Sequence, residues 1–234
     1  MQRDVLSYDV LIVGAGPAGL AAAIRLKQLA PAASVCVVEK AASLGGHTVA
    51  GAVLEPTALD SLLPTWRQEN GFGFTPVTAD KFLFLTPRRA WRLPVPPPMC
   101  NQGNGIINPP EFVRYLGAQA QAVGVEVFTG LAAQTAIIEN NAVKGVVMGD
   151  FGLGRTAEPT AQFAPGPEIR ARVTFLAEGC RGHLTKQLVA QFGLAGPQPQ
   201  TYALGLKEVW RVQPQQHRLG TVVHTLGAPL PGDI

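Results

Sequence analysis

Gly14, Gly16 and Gly19, spaced as G-x-G-x-x-G, and Glu39 twenty residues further on are the residues whose types and spacing point most directly to chemistry. That chemistry is the holding of a dinucleotide, not the making or breaking of a bond. Gly14 permits a tight turn, Gly16 lets the backbone come up against a pyrophosphate, and Gly19 lets a helix lie close to a strand. Ala15, Pro17 and Ala18 complete a loop at the positive end of a helix, whose free N–H groups face phosphates. The Glu39 carboxylate is placed to accept hydrogen bonds from ribose hydroxyls and to repel a nucleotide carrying a 2′-phosphate. The glycines alone discriminate weakly: with 26 glycines in 234 residues, about 0.3 such matches arise by chance in one chain.

The surrounding elements supply the specificity. An apolar run, 8–13, precedes the glycines, a helix-forming stretch from Leu20 to Ala30 follows, and a β-branched run, 34–38, ends on Glu39. That order is strand, glycine turn, helix, strand and acid. Leu44-Gly45-Gly46-His47-Thr48 is a loop, and Glu55-Pro56 opens a helical pattern carrying Leu59, Leu62, Leu63 and Trp66, broken at Pro64. Phe82 to Leu85 and Ala90 to Leu93 read as short strands of a separate, mixed sheet. Asn108 with Pro109 and Pro110 starts a helix that runs to about Val123 and ends at Gly124. Val125 to Phe128 returns to the main sheet, and residues 135–148 form a hairpin turning at Asn140-Asn141. Residues 149–167 read as loop, Ile169 to Ala177 as a strand ending at Glu178-Gly179, and His183 to Phe192 as an amphipathic stretch. Tyr202 to Leu206 and Thr221 to His224 alternate as strands.

Composition excludes several classes. Net charge is +3 without a basic block, so nucleic acid is not a predicted partner. Charged residues make up only 15%, below the ~25% usual in soluble domains, which fits a buried partner or a membrane face. Cys36, Cys100 and Cys180 lie far apart with no C-x-x-C spacing, so they form no metal site by themselves and are predicted to be reduced thiols. The first strand begins too early for a signal or transit peptide. Residues 93–110 lack charge but hold six prolines, which forbids a spanning helix.

The layout favours FAD over NAD. The fingerprint opens the chain, an excursion intervenes, and a second glycine turn at Glu178-Gly179 closes a later strand, so the ligand is predicted to span both strand ends at a topological switch point.

These residues bring a family into view. The chain resembles the N-terminal part of electron-transfer-flavoprotein:ubiquinone oxidoreductases through residues 13–20, 25–29 and 38–42, Gly45-Gly46-His47-Thr48, and Gly124 to Val127. The narrowest matches are the run from Ala177 to Leu188, containing Glu178-Gly179-Cys180-Arg181-Gly182-His183, and the run from Gln200 to Glu208. Two departures stand out: Gly46 where the family usually has Ala, and Ala228 before Pro229-Leu230 where it usually has Trp.

The resemblance implies an α/β fold, with a FAD-binding Rossmann-like domain of the glutathione-reductase type and a second, incomplete α+β domain. The expected division is 1–63 and 105–192 for the first, 64–104 and 193–234 for the second. It implies electron transfer from reduced electron transfer flavoprotein to ubiquinone through FAD, with no catalytic side chain named. Lys40, Gly45, Gly46, His47, Thr48, Val127, Glu178 and Gly179 join Gly14 to Gly19 and Glu39 as expected cofactor-binding residues. A [4Fe–4S] cluster is implied too, but its four cysteines and the quinone pocket's glycines are absent from this chain, which stops within the expected second sheet. The implied location is peripheral and monotopic, on the cytoplasmic face of a bacterial inner membrane.

Several residues carry a plainer reading beside the functional one. His47 can order its loop, Lys40 can be a solvated lysine, and Cys180 can be a structural cysteine at a helix start. The apolar stripe within 51–66 is a core helix or, as in the family, a segment dipping into one leaflet. Rival functions are a related FAD-dependent geranylgeranyl reductase or hydroxylase, reduced by a nicotinamide, and a non-catalytic FAD-binding fragment.

Overall fold

The structure is a computed structural model that describes residues 2–49 and 51–229. In chain order its elements are β1 (Val5–Val13), α1 (Pro17–Leu29), β2 (Val35–Glu39), β3 (Ala52–Leu54), α2 (Thr57–Leu62) and α3 (Trp66–Glu69). Then come β4 (Phe74–Pro76), β5 (Ala79–Leu85), β6 (Ala90–Leu93), β7 (Gly105–Ile107), α4 (Pro109–Ala122) and β8 (Glu126–Thr129). The remainder is β9 (Ala133–Glu139), β10 (Ala142–Met148), β11 (Phe151–Leu153), β12 (Pro159–Ala164), β13 (Glu168–Leu176), α5 (His183–Phe192) and β14 (Thr221–Gly227). They divide into two compact units, 1–48 with 110–204, and 49–109 with 205–234. The excursion thus begins at Val49, earlier than the expected 63/64 division, because β3 pairs with β7 rather than with the first unit's sheet.

The first unit is built on a six-stranded sheet in the order β8-β2-β1-β13-β10-β9. β8, β2, β1 and β13 run parallel, and β10 and β9 are antiparallel. The C-terminal halves of β1 and β2 are apolar because parallel strands covered on both faces cannot alternate with polar residues. Leu11, Val13, Cys36, Val38, Val146, Met148, Ile169 and Leu184 form one buried cluster. Ile12 and Val37 point the opposite way by the strand period, to the face where α1 packs with its buried Leu20 and Ile24. Asn140 and Asn141 both hold left-handed backbone (φ 51° and 60°), as the tight β9–β10 turn demands. Successive strands β1 and β2 lie on one side and β13 on the other, so the switch point falls beside β1.

The second unit holds two small sheets, β14-β5-β6 and β3-β7-β4. The first is mixed, as predicted, with β14 parallel and β6 antiparallel to β5. The stripe of residues 51–66 is not one helix: it is divided among β3, α2 and α3. Leu59 and Trp66 are only 5% and 3% exposed. Trp66 stacks on Phe72 at 5.3 Å and meets Phe74 edge-on at 5.0 Å, while its indole N–H donates to Asp60 at 2.7 Å. Leu59 and Trp66 thus pack into a core, whereas Ala52 and Val53 at the start of the stripe stay exposed, so the core-helix reading holds only for part of it. Among the described residues no helix is long and apolar enough to cross a membrane.

Three sequence expectations need correction. Residues 149–167 contain the hairpin β11–β12, hidden because its six-residue second strand is nearly all exposed and carries no apolar alternation. Tyr202 to Leu206 forms no strand, although the pattern alternates, because nothing in the described residues pairs with it. The three-residue strands β3, β4 and β7 are too short for a periodic signal. The Ala228 departure leaves its N–H donating to the Leu85 carbonyl at 3.0 Å. Leu230 lies outside the described residues.

Candidate functional site

The C-terminal ends of β1, β2 and β13 converge on one cleft of about 790 Å3, within the size range of small-molecule sites. The convergence is fixed by the backbone. Gly14 N–H donates to the Val38 carbonyl and Ala177 N–H to the Val13 carbonyl, both at 2.8 Å.

The two leading glycines answer to different demands. Gly14 has φ +105°, and a methyl group there would sit 2.4 Å from the Ala177 carbonyl oxygen. That position is glycine because protein surrounds it. A methyl on Gly16 would meet no protein atom within 4 Å, although Gly16 lines the cleft. That position faces open space of the kind a ligand's phosphates occupy. Gly19 packs against the turn itself, since a methyl there would lie 2.0 Å from the Gly14 carbonyl oxygen.

The start of α1 has no side-chain cap and no acid in its first turn. Its partial positive charge is therefore left to an anion from outside the helix. At the start of α5 the situation is reversed. The Glu178 carboxylate accepts from the backbone N–H groups of His183, Leu184 and Thr185 at 3.0, 3.1 and 2.8 Å, and from the Thr185 hydroxyl at 2.8 Å. An expected ligand residue thus has its carboxylate committed to a helix end, leaving its main chain to line the cleft.

Glu39 closes β2 on the cleft wall. One carboxylate oxygen accepts from Ala15 N–H at 2.9 Å and the other from Ala41 N–H at 2.8 Å. Each oxygen keeps a second lone pair for a hydroxyl donor. The carboxylate also ties the glycine turn to the end of β2, a role invisible in the sequence.

Gly14, Ala15, Gly16, Glu39, Lys40, Gly45, His47, Thr48, Glu178 and Gly179 all line the cleft. Pro17, Ala18, Gly19, Gly46 and Val127 do not. Pro17, Ala18 and Gly19 form the first turn of α1. Gly46 is inside consecutive turns, its N–H donating to the Ser43 carbonyl at 3.0 Å. Val127 lies in β8 opposite Val37.

Sequence reasoning missed the wall formed by Leu131 to Gln134, Gly149, Asp150 and Leu153, and the contribution of Arg181, Gly182 and His183. The first group has no motif; apart from Leu153, which ends β11, its residues lie in or beside β9 and β10, which belong to the same sheet. Asp150 is held by Arg3 at 2.6 Å and by Gly166 N–H at 3.0 Å. Those donors, the Arg3 hydrogen bond foremost, keep its carboxyl below the usual carboxylate range. Cys36 lies beneath the cleft in the buried cluster, and burial, followed by the charge of Glu126, pushes its thiol up to about 12. Among the described residues no three His, Cys, Asp or Glu side chains are grouped as metal ligands.

The arrangement fits FAD. Open space at Gly16, an uncapped helix start and a carboxylate at the end of β2 are what a dinucleotide's pyrophosphate and ribose require.

Known proteins give the same picture. The chain is 47% identical over 99% of its length to the mitochondrial electron transfer flavoprotein-ubiquinone oxidoreductase of Dictyostelium discoideum, covering 39% of that protein. It is 46% identical over 98% of its length to the Pseudomonas aeruginosa electron transfer flavoprotein-ubiquinone oxidoreductase, covering 44% of it. The chain thus spans about two fifths of the length of the curated relatives it matches. A geranylgeranyl bacteriochlorophyll reductase-like protein from Thermoplasma acidophilum shares the fold, with a TM-score of 0.53 at 21% identity over 74% of this chain and 39% of that one. So does a flavoprotein/dehydrogenase from Cytophaga hutchinsonii, with a TM-score of 0.54 at 20% identity over 83% and 44%. Residues 202–234 match the family described as "ETF-QO, ubiquinone-binding". Residues 9–160, well over half of the chain, match the family described as "FAD dependent oxidoreductase", and the chain belongs to that family.

Proposed function

We propose that this chain is the flavin-carrying part of an enzyme that passes electrons from reduced electron transfer flavoprotein to ubiquinone. The observation that carries the reading is the cleft at the ends of β1, β2 and β13, in a chain 46–47% identical to proteins of that name. FAD, when bound, supplies the redox chemistry: its ring system takes up electrons and gives them on.

The chain's own residues bind and orient. The backbone of Gly14 to Gly19 and the start of α1 receive the diphosphate, with Pro17, Ala18 and Gly19 shaping the turn behind it. Glu39 accepts from the ribose, and Lys40 flanks the adenosine. Gly45, His47 and Thr48 border the cleft and, with Gly179 and the main chain of Glu178, restrict water around the ligand. Gly46 and Val127 act through the loop and strand that carry their neighbours. Residues 202–234 match a ubiquinone-binding family, which supports a quinone-side role for the second unit. Ligands for a [4Fe–4S] cluster would come from residues outside this chain. The matching Pseudomonas and Acinetobacter relatives are consistent with membrane association; the peripheral, cytoplasmic-face placement on an inner membrane is part of this proposal.

Loading the purified chain with FAD and mixing it with reduced electron transfer flavoprotein tests the reading. A yellow complex that survives gel filtration and is reduced by that donor is expected. A colourless protein after flavin soaking would overturn it. Rapid bleaching by NADH would assign the chain to the nicotinamide-using reductases or hydroxylases instead.

A further inference from the structure

The charges around the cleft are unevenly matched. Glu178 is engaged by four donors, Asp150 by Arg3 and Gly166, and Glu39 by two backbone amides. Arg181, which also lines the cleft, has no carboxylate partner among the described residues. Its guanidinium lies 4.6 Å from the centre of the Tyr202 ring. The Tyr202 hydroxyl donates to the Gln200 side-chain carbonyl at 3.0 Å, and the Gln200 amide donates back to the Cys180 carbonyl at 3.5 Å. The arginine is thus held by a small latch between residues 180–181 and 200–202.

The loop carrying Arg181 springs from Ala177. That residue touches the glycine turn: its carbonyl oxygen abuts the Gly14 position and its β-carbon the Gly19 position. A cation anchored on an aromatic face, on a loop rooted against a phosphate-shaped turn, is suited to donate two N–H groups to one anion. The helix start alone supplies only a partial charge, whereas a diphosphate carries two full ones.

We propose that Arg181, positioned by Tyr202 and Gln200, is a second anion-binding group of the cleft and donates to the diphosphate of the bound dinucleotide. This rests on the cleft being the FAD site. Lysine at 181 keeps the charge but loses the planar fork and its stacking on Tyr202, so it is a partial substitute.

Calorimetric titration of the full chain with FAD, ADP and adenosine tests the assignment. R181A should weaken FAD and ADP about 10- to 100-fold, the loss expected for a charge-assisted hydrogen-bonded contact, and leave adenosine unchanged. R181K and Y202L should fall between wild type and R181A. Because Arg181 is exposed, the thermal midpoint should stay near that of wild type and separates lost binding from lost fold. Unchanged FAD affinity in R181A, or an equal loss for adenosine, would overturn the role of Arg181. Failure of the wild-type chain to take up FAD or ADP would instead sink the cofactor reading on which it rests.

Discussion

Gly14 and Gly16 are two residues apart and equivalent in a motif, yet substitution should separate them. Gly14→Ala forces a methyl group into the Ala177 carbonyl at a backbone angle that side chains avoid; it should cost about 2–3 kcal/mol of stability, read as a lowered thermal midpoint. Gly16→Ala meets only open space, so the midpoint should hold while FAD affinity falls at least about 10-fold. Equal thermal effects of the two would show that Gly16 is held by packing. The cysteines divide in the same way: Cys36 is buried, Cys100 and Cys180 are exposed. A thiol reagent should modify two groups in the native protein and three in denaturant. Residue identity made the glycine turn and Glu39 legible from the chain alone, because their chemistry is local. The partners of Glu178 were not, since its carboxylate is claimed by amides five to seven residues ahead, which come within reach only once α5 has formed.

At the level of elements, α5 depends on an acid outside itself. Removing it with Glu178→Ala exposes three N–H groups at the helix start and should cost about 1–2 kcal/mol, measured by denaturant unfolding. FAD affinity should change less than in Gly16→Ala, because the Glu178 main chain remains on the cleft wall. A second clip joins the segment before β1 to both ends of the β11–β12 excursion, through Arg3, Asp150 and Gly166. The Asp150 carboxyl is held below its ordinary value in the folded chain. Its contribution is therefore complete above the unfolded carboxylate pKa, about 4, and is lost as pH falls through the depressed folded value. Asp150→Asn should flatten the acid side of a stability–pH curve while leaving its neutral side sloping as before; an unaltered acid limb would count against the clip. Long, strongly patterned elements such as α1, α4 and the β9–β10 hairpin could be read directly. β11 and β12 could not, because a hairpin standing in solvent has little apolar alternation to display.

For the whole molecule, the run from Leu204 to Trp210 holds the most exposed large apolar side chains among the described residues. Leu204, Leu206, Val209 and Trp210 are 93%, 91%, 89% and 77% exposed. Such an apolar run, outside any strand and without ladder partners among the described residues, favours association with other chains. Light scattering of the isolated chain should rise with concentration, and replacing Leu206 and Val209 with lysine should reduce it; a monodisperse wild-type chain at high concentration would refute this. The packing of Trp66 against Phe72 and Phe74 has an optical consequence. Trp66, Trp91 and Trp210 are the three tryptophans of the chain, and all belong to the second unit, whereas the cleft belongs to the first. Indole emission therefore follows the melting of one half of the protein while the visible absorbance of bound flavin follows the other, so a single denaturation curve recorded in two colours reads the two halves separately.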